Sequence, residues 1–153
     1  ATAVKKVNDS GYLAIVVTNQ PVVARGMCSV VDVQKIHRKL QDILGKEGAY
    51  LDDIIFCPHH PHKGYPEENK AYKMDCSCRK PKTGMIDIMA KRYNIDLQKS
   101  WFVGDSARDM ECGRRAGTRT ALVDTEKASV GKYDEIVDIY VADVLEAVEK
   151  ILK

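Results

Sequence analysis

The sequence of 153 residues has no internal repeat, no low-complexity tract and no long apolar run. Its longest uninterrupted apolar run, residues 13–17, is far shorter than the roughly 20 residues that a membrane-spanning helix needs. The amino end also lacks the basic start, apolar stretch and small-residue cleavage site that together mark a secretion signal. We therefore expect no membrane span and no secretion signal.

The chain also has little excess of positive over negative charge. The formal net charge of +2 is far below the excess that nucleic-acid-binding proteins concentrate on one face, so we predict no nucleic-acid partner. Cysteine occurs five times, and this odd count favours metal binding in a reducing, cytoplasmic setting over a disulfide scaffold. With 44% hydrophobic residues the chain can bury a core, and we expect one domain over residues 1–153 and a monomer.

Short β-branched runs alternate with longer helical patterns along the chain, which is typical of a parallel sheet wrapped by helices. We therefore predict an α/β fold with a doubly wound, Rossmann-like parallel sheet. The predicted strands are residues 12–17, 54–56, 101–103, 120–123 and 139–141. The predicted helices are one before residue 12, one over residues 30–44, one over residues 84–93, one over residues 107–116 and one after residue 143.

The helix over residues 30–44 has the clearest signals of the set. Ser29 followed three residues later by Asp32 is typical of a helix start. The apolar residues that recur at helical spacing should form one buried face. They are Val33, Ile36, Leu40, Ile43 and Leu44.

Two short pairs, Cys57 with His59 and Cys76 with Cys78, are separated by a polar segment without periodicity. Structural zinc takes four such soft or borderline ligands in a tetrahedron. We therefore predict a zinc site that holds a long loop over about residues 57–81. One residue separates the members of each pair, unlike in the commonest zinc fingers, and His60 and His62 could compete with His59. The alternative is a loop with scattered thiols and imidazoles.

Other polar residues follow the predicted strands, and in doubly wound sheets ligands bind outside the carboxyl ends of the strands. Thr18 offers a hydroxyl after the first strand, and we expect the backbone amides of Asn19 and Gln20 to be free for phosphoryl oxygens. The alternative is an ordinary strand-ending turn. We predict that these groups lie at one rim of the sheet with those that follow the other strands.

Three charged positions could complete a phosphate site. Lys80 can neutralise charge on a phosphoryl group, and Arg79 can grip a phosphate in bidentate fashion, unless both are simply solvated. Asp105 follows a strand and is a candidate magnesium ligand. Asp109 could share that ion, or could form a capping box with Ser106 instead.

Four short motifs therefore follow one another along the chain. They are Val17-Thr18-Asn19-Gln20, Cys57-Pro58-His59-His60-Pro61, Cys76-Ser77-Cys78-Arg79-Lys80-Pro81 and Val103-Gly104-Asp105-Ser106. This order resembles one branch of the haloacid dehalogenase superfamily, the D-glycero-D-manno-heptose bisphosphate phosphatases, with histidinol-phosphate phosphatase as a close relative. The resemblance runs from about Ala3 to the carboxyl end and is most specific over residues 57–81.

The resemblance implies a haloacid dehalogenase type of fold in which a zinc loop stands in place of a cap domain and the zinc is structural. It implies that Thr18 and Asn19 contact the transferred phosphate and act in catalysis together with Lys80. It implies substrate binding by Gln20, Arg25, Arg79 and Lys80. It also implies that the zinc ligands are Cys57, His59, Cys76 and Cys78, and that Asp105 coordinates magnesium.

One element of that family is absent from residues 1–153, the Asp-x-Asp motif that carries the nucleophile and the general acid and base. In the family this motif follows a central strand between those that end in Thr18 and Asp105. We therefore expect the chain to be part of a longer polypeptide, or else a natural fragment or a degenerate homologue. If it truly starts at Ala1, we expect it neither to fold stably alone nor to hydrolyse phosphate.

The leading functional hypothesis is a magnesium-dependent hydrolase of a small phosphorylated sugar, with heptose 1,7-bisphosphate as the best substrate. Its aspartyl-phosphate would form on a nucleophile upstream of this chain. In that case Lys80→Ala should reduce the rate far more than the stability. The alternatives are a histidinol-phosphate phosphatase and a non-catalytic, zinc-stabilised binding module. The module would use the lysine-rich segment of residues 63–73, although Glu67 and Glu68 lie in it.

Overall fold

The computed structural model describes residues 1–62, 64, 66–124, 126 and 129–153. Lys63, at the start of the lysine-rich segment, lies outside the described residues. The chain divides into two compact units, Ala1–Arg79 and Lys80–Lys153. No helix in the described part of the chain combines the length and the apolar character that crossing a membrane requires.

The first unit contains two parallel strands joined by a helix. Its elements are α1 (Thr2–Asp9), β1 (Ile15–Asn19), α2 (Val30–Lys46), β2 (Asp53–Cys57) and a short 3-10 helix (Lys70–Tyr72). The register places Ile15 opposite Asp53 and Asn19 opposite Cys57. Parallel strands need a crossover of this kind, and α2 provides it.

Strand β1 begins and ends later than residues 12–17, the range that the sequence predicts. Tyr12 and Leu13 are each 45% exposed. The Ala14 N–H donates to the Asp52 carboxylate at 2.7 Å, so the backbone there bonds a side chain before the ladder begins. At its other end the ladder continues through Thr18 and Asn19. The hydrophobic run therefore marks the strand but not its bounds.

Helix α2 begins where the sequence predicts. The Ser29 hydroxyl accepts the Asp32 N–H at 3.1 Å, and the Asp32 carboxylate accepts the Ser29 N–H at 3.0 Å. These two bonds form a capping box. Side-chain and backbone hydrogen bonds from Ser29 hold the pKa of Asp32 below its usual range.

The predicted buried face of α2 is wrong for three of its five members. Val33 and Leu44 are buried, whereas Ile36, Leu40 and Ile43 are exposed. Leu44 contributes to a core cluster with Ala49 and Leu51. The reason is geometric, because a sheet of two strands is too narrow to cover a whole apolar helix face.

The second unit contains a three-stranded parallel sheet of order β3-β4-β5. Its elements are α3 (Gly84–Tyr93), a 3-10 helix (Leu97–Lys99), β3 (Trp101–Gly104), α4 (Ala107–Ala116), β4 (Arg119–Val123), β5 (Ile139–Val141) and α5 (Val144–Ile151). The predicted limits of α4 and β5 are confirmed, and those of β3 and β4 are each short by one residue.

The core of the second unit lies on both faces of its sheet. One cluster is formed by Met110, Leu122 and Val137, and another by Ala121, Val141 and Ala147. The prediction of an α/β fold with parallel strands is confirmed. The prediction of a single domain stays a prediction.

Candidate functional site

The strongest candidate site is a cluster of thiols and one imidazole in the first unit. Cys57 is the last residue of β2 and is fully buried. His59 follows two residues later, and the loop brings Cys76 and Cys78 back to them. The four candidate ligand atoms all lie within 4.8 Å of one another. Among the described residues, they form the one cluster of potential metal ligands of this kind.

Three separations within the cluster come close to those around a tetrahedral ion. The Cys57 sulfur lies 3.6 Å from that of Cys76 and 3.2 Å from that of Cys78. The His59 Nδ1 lies 3.3 Å from the Cys78 sulfur. Around zinc, bond lengths of about 2.3 Å to sulfur and 2.0 Å to nitrogen place the ligand atoms roughly 3.5–3.8 Å apart. The four predicted residues therefore form a set that could hold a metal ion.

Without an ion among them, burial opposes the ionisation of two of these three thiols. Burial raises the pKa of Cys57 well above its usual range, and burial also raises that of Cys78. Burial acts in the same direction on Cys76, but hydrogen bonds with Cys78 and with the backbone outweigh it and lower its pKa. Neighbouring thiolates repel one another, and a bound dication offsets that repulsion.

His60 and His62 are not in this set. The His60 Nδ1 accepts the His62 backbone N–H at 3.2 Å, and the two rings lie 5.1 Å apart. The His60 backbone N–H donates to the Tyr72 carbonyl at 3.2 Å. The geometry thus selects His59 among three histidines that the spacing alone could not separate.

The loop that carries these residues packs on the turn after β1. The Asn69 N–H donates to the Ala24 carbonyl at 3.0 Å. Gly26, at φ +75°, lies so close to the Glu67 carbonyl that a Cβ on it would overlap that group. A buried Lys73–Glu68 ion pair of 3.4 Å lies within the same loop. The turn and the loop therefore form one packed body.

The predicted phosphate-binding residues of the first unit lie at the carboxyl end of β1. The expectation of a free backbone amide is wrong for Gln20, and for Asn19 it stays a prediction. Gln20 donates its N–H to the Cys57 carbonyl at 2.8 Å, and Asn19 is the last residue of the β1 ladder. The strand extends two residues beyond its predicted end, and this extension brings the Gln20 amide to β2. The Gln20 side-chain amide instead donates to the Thr18 hydroxyl at 3.2 Å.

Two arginines predicted to bind substrate, Arg25 and Arg79, belong to the first unit. Arg79 donates from Nη1 to the His59 carbonyl at 3.3 Å, and the Nε of Arg25 is buried. Burial, and then the charges of Arg79 and Arg25, lower the pKa of His60. Two positive side chains from separate segments of the chain therefore act on one buried ring.

In the second unit, Lys80 forms an ion pair with Asp109 at 2.6 Å. The two side chains are only 13% and 8% exposed. The Lys80 ammonium also lies 5.7 Å from the centre of the Phe102 ring. The sequence did not reveal this pair, because a lysine far upstream of a helix leaves no local signal of its partner.

Asp109 is held by the start of α4. Ser106 caps the helix by accepting the Asp109 N–H, and its hydroxyl donates to the Asp109 carboxylate at 2.6 Å. Burial alone would raise the pKa of Asp109, but hydrogen bonds from Lys80 and Ser106 outweigh it and lower that pKa. Asp109 is therefore ionised in the folded protein near neutral pH.

Gly104 and Asp105 lie beside that carboxylate. A Cβ on Gly104 would lie 2.7 Å from the Asp109 Cγ, so the close approach of the two segments requires glycine. Asp105 is exposed, and a side-chain hydrogen bond with it contributes to the lowered pKa of Asp109. Two neighbouring carboxylates are a donor set that suits magnesium, which takes one or two carboxylates together with waters and substrate oxygens.

The predicted site residues are thus divided between the two units. Thr18, Asn19, Gln20, Arg25, Arg79 and the four thiol and imidazole residues belong to the first, and Lys80, Asp105 and Asp109 to the second. Each unit brings its own set together. The meeting of both sets at one rim stays a prediction.

Parallel strands with charged side chains after their carboxyl ends define the chain as an α/β protein whose polar groups lie where such folds bind ligands. A family model described as HAD-hydrolase-like matches residues 77–148. A Haemophilus ducreyi D-glycero-beta-D-manno-heptose-1,7-bisphosphate 7-phosphatase is 36% identical over 148 residues, covering 95% of this chain and 79% of that protein. The chain belongs to the heptose-1,7-bisphosphate 7-phosphatase family, and the resemblance found in the sequence is confirmed.

Two further comparisons agree. A Rhodopseudomonas palustris protein of the same name is 43% identical over 117 residues, covering 76% of this chain and 63% of that protein. The crystal structure of the D,D-heptose 1,7-bisphosphate phosphatase from B. bronchiseptica, complexed with magnesium and phosphate, matches 99% of this chain and 80% of its own with a TM-score of 0.82 at 29% identity. The chain spans 63–79% of the length of the two curated relatives.

Proposed function

We propose that the protein is a phosphomonoester hydrolase of a small phosphorylated sugar, with heptose 1,7-bisphosphate as its substrate. The observation that carries this proposal is the buried Lys80–Asp109 pair beside Asp105 at the carboxyl end of β3. A fixed positive charge next to two carboxylates is the arrangement that phosphoryl transfer needs. The names of the relatives support the choice of substrate.

Lys80 would stabilise the charge that develops on the transferred phosphoryl group. Its ammonium is held by Asp109 and by the Phe102 ring, so its position is set before substrate binds. Asp105, with Asp109 beside it, would hold magnesium, which offsets phosphoryl charge when it is bound. An aspartyl-phosphate intermediate stays a prediction, because no Asp-x-Asp motif occurs in residues 1–153.

In the first unit, Thr18 would donate its hydroxyl to the transferred phosphate, with Asn19 and the Gln20 side chain beside it. The Gln20 amide donates to the Thr18 hydroxyl oxygen, which leaves the hydroxyl proton available for a phosphate oxygen. Arg25 and Arg79 would bind a second substrate phosphate. Charge-assisted bonds from guanidinium groups are the strongest contacts that the chain can offer to such a group.

Zinc would occupy the cluster of Cys57, His59, Cys76 and Cys78 and would act structurally. The donor set of three thiols and one imidazole fits zinc. The His59 carbonyl accepts a hydrogen bond from Arg79, so the metal ligand and a substrate-binding residue are linked. The five cysteines, all among the described residues, form no disulfide, and this supports the cytoplasm as the location of the protein.

The test is phosphate release from heptose 1,7-bisphosphate, fructose 1,6-bisphosphate and histidinol phosphate, each with magnesium and with a chelator. We expect magnesium-dependent release that is fastest from the heptose. Faster release from histidinol phosphate would identify that compound, and not the heptose, as the substrate. No release from any of the three would favour the non-catalytic binding module.

A further inference from the structure

We propose that Gln20 is a positioning residue that directs the hydroxyl proton of Thr18 toward a phosphate group, and that it does not itself bind that group. This inference rests on the proposed function, in which Thr18 donates its hydroxyl to the transferred phosphate. The family resemblance implies direct substrate binding by Gln20 instead. The contacts of its backbone and its side chain favour the positioning role.

The backbone of Gln20 is fixed on both sides. Its N–H donates to the Cys57 carbonyl at 2.8 Å, and its own carbonyl accepts the Val23 N–H at 3.4 Å. Cys57 is fully buried and is the last residue of β2, opposite Asn19 in the ladder. The Gln20 side chain therefore starts from a defined point at the end of the β1–β2 ladder.

The side chain of Gln20 turns back to the strand that it follows. Side chains two residues apart in an extended segment lie on the same face, and Gln20 follows Thr18 at this spacing. The Gln20 Nε2 donates to the Thr18 Oγ1 at 3.2 Å, and the contact is partly buried. A hydrogen bond shielded from water in this way is stronger than one in bulk solvent. The amide and the hydroxyl therefore form a local pair at the carboxyl end of β1.

The direction of this hydrogen bond decides where the hydroxyl proton can go. A hydroxyl has one proton and two acceptor lone pairs, whereas an amide NH2 group only donates. Because Thr18 accepts from Gln20, its own proton cannot bond that nitrogen and is directed to a second partner. A phosphate oxygen suits this position, since it accepts and its charge strengthens the bond.

The pair also prepares the hydroxyl for binding. Without the Gln20 amide, the proton would rotate about the Cβ–Oγ1 bond of Thr18, and a phosphate group would have to restrict that rotation again. Loss of this preorganisation costs affinity. An effect that passes through a hydroxyl should disappear when the hydroxyl is removed, whereas an effect of direct contact should not.

The experiment is a double-mutant cycle with Gln20→Met, Thr18→Val and the double variant, in zinc-loaded protein at a fixed magnesium concentration. Dissociation constants for inorganic phosphate are measured by calorimetry. We expect Thr18→Val to weaken binding by roughly tenfold and Gln20→Met by roughly fivefold. Gln20→Met should add little in the Thr18→Val background. Full additivity of the two losses would identify Gln20 as a direct ligand and overturn the positioning role.

A second substitution tests the direction of the hydrogen bond. Gln20→Glu keeps the length of the side chain but presents only acceptors at neutral pH, so it should draw the Thr18 proton away from phosphate. Repulsion between the added carboxylate and phosphate acts with or without the hydroxyl. The loss of affinity should therefore be larger in the presence of Thr18 than in the Thr18→Val background. An equal loss in both backgrounds would overturn the inference.

The matched control is Gln41→Met on α2. Gln41 is a half-buried glutamine whose side chain bonds the backbone N–H and carbonyl of Leu51. This variant should change neither phosphate affinity nor zinc content, and a loss of affinity equal to that of Gln20→Met would overturn the inference. Both Gln20 variants should keep zinc, because the bond to Cys57 involves the backbone. Loss of zinc in both would show that Gln20 supports the cluster and not the hydroxyl.

Binding of inorganic phosphate separates this inference from the proposed function, because it requires no hydrolysis. A wild-type protein that binds phosphate but hydrolyses no ester would refute the proposed function, and the binding cycle would still decide the role of Gln20. A wild-type protein that binds no phosphate, or unchanged affinity in Thr18→Val or Gln20→Met, would refute the role of Gln20 itself.

Discussion

The loop of the first unit and the charged pair of the second unit reach fixed geometries by different means. In the loop, the described residues of 58–69 and 73–79 form no helix or strand, and Cys57 and His60 are buried. Its order depends on the thiol and imidazole cluster and on a few backbone hydrogen bonds. In the second unit, Lys80 and Asp109 are held by a capped helix packed on a sheet.

This difference predicts different sensitivities. A loop without a core of its own should lose its structure when its metal ligands are removed. A pair supported by a strand and a helix should tolerate metal removal, but should respond to changes in packing and in paired charge. Variants in each region can test these two responses separately.

The largest effect is expected for Cys78→Ser. Removing one of four ligands should abolish stoichiometric zinc and lower the free energy of unfolding by at least about 3 kcal/mol. Zinc is measured by atomic emission, and local order by hydrogen exchange. The amide of His60 is bonded within the loop and that of Asn69 to the turn after β1, and both should lose protection, whereas that of Thr118 in the second unit should keep it.

The matched control for that variant is Cys112→Ser. Cys112 is fully buried, whereas Cys78 is half-buried, and burial raises the pKa of the Cys112 thiol to about 11. Its sulfur donates to the Lys82 carbonyl, a bond that serine can replace. Zinc content should remain at its wild-type level. Equal loss of zinc in both variants would show that general unfolding, and not the ligand set, explains the result.

The next largest effect concerns Lys80→Met. The sequence alone predicts a loss of rate with little loss of stability. The buried partner changes that expectation, because an unpaired Asp109 costs about 3 kcal/mol. We therefore expect kcat to fall by about 10²–10³ and the free energy of unfolding to fall as well. Steady-state kinetics and urea unfolding measure the two losses.

The double variant Lys80→Met with Asp109→Asn separates the two roles. Replacing the carboxylate removes the unpaired charge, so most of the stability should return while the activity stays low. A single Lys80→Met variant as stable as the wild type would show that the pair contributes little to folding.

Local signals explain what could be predicted from the sequence. Ser29 and Asp32 mark the start of α2 because their hydrogen bonds lie within one turn. The spacing of Cys57, His59, Cys76 and Cys78 indicated the cluster because two short pairs meet wherever the intervening loop closes. Long-range partners left no such signal.

Two predictions failed for that reason, and one contact was not predicted. The Gln20 amide bonds the Cys57 carbonyl because the β1–β2 ladder extends further than the hydrophobic run. Ile36 is exposed because the neighbouring sheet, within the described residues, has two strands. The Lys80–Asp109 ion pair was not predicted because Asp109 is distant in sequence and near only in the fold.

Gly104→Ala should have a smaller effect and tests packing alone. The added methyl would overlap the Asp109 side chain, so we expect a loss of about 2 kcal/mol in the free energy of unfolding. Gly45→Ala on α2 is the control, because nothing lies within 4 Å of a Cβ there. That control should be neutral or gain about 0.5 kcal/mol from helix propensity. Similar losses in both variants would contradict the close approach at Gly104.

The smallest effect is a pH dependence that compares one carboxylate from each unit. The pKa of Asp109 and that of Asp32 both lie below the ordinary value of 3.8 in the folded protein. An ionised group of this kind stabilises the fold above its unfolded pKa, and the stabilisation is lost as pH falls through the folded pKa. This loss is measured by urea unfolding at pH 7 and pH 3 of the wild type, Asp109→Asn and Asp32→Asn. Asp109 is buried against Lys80, whereas Asp32 is exposed. The difference in the free energy of unfolding between the wild type and the variant should therefore decrease more from pH 7 to pH 3 for Asp109→Asn than for Asp32→Asn. An equal decrease in this difference for both variants would show that the buried pair is no more important to folding than a surface helix cap.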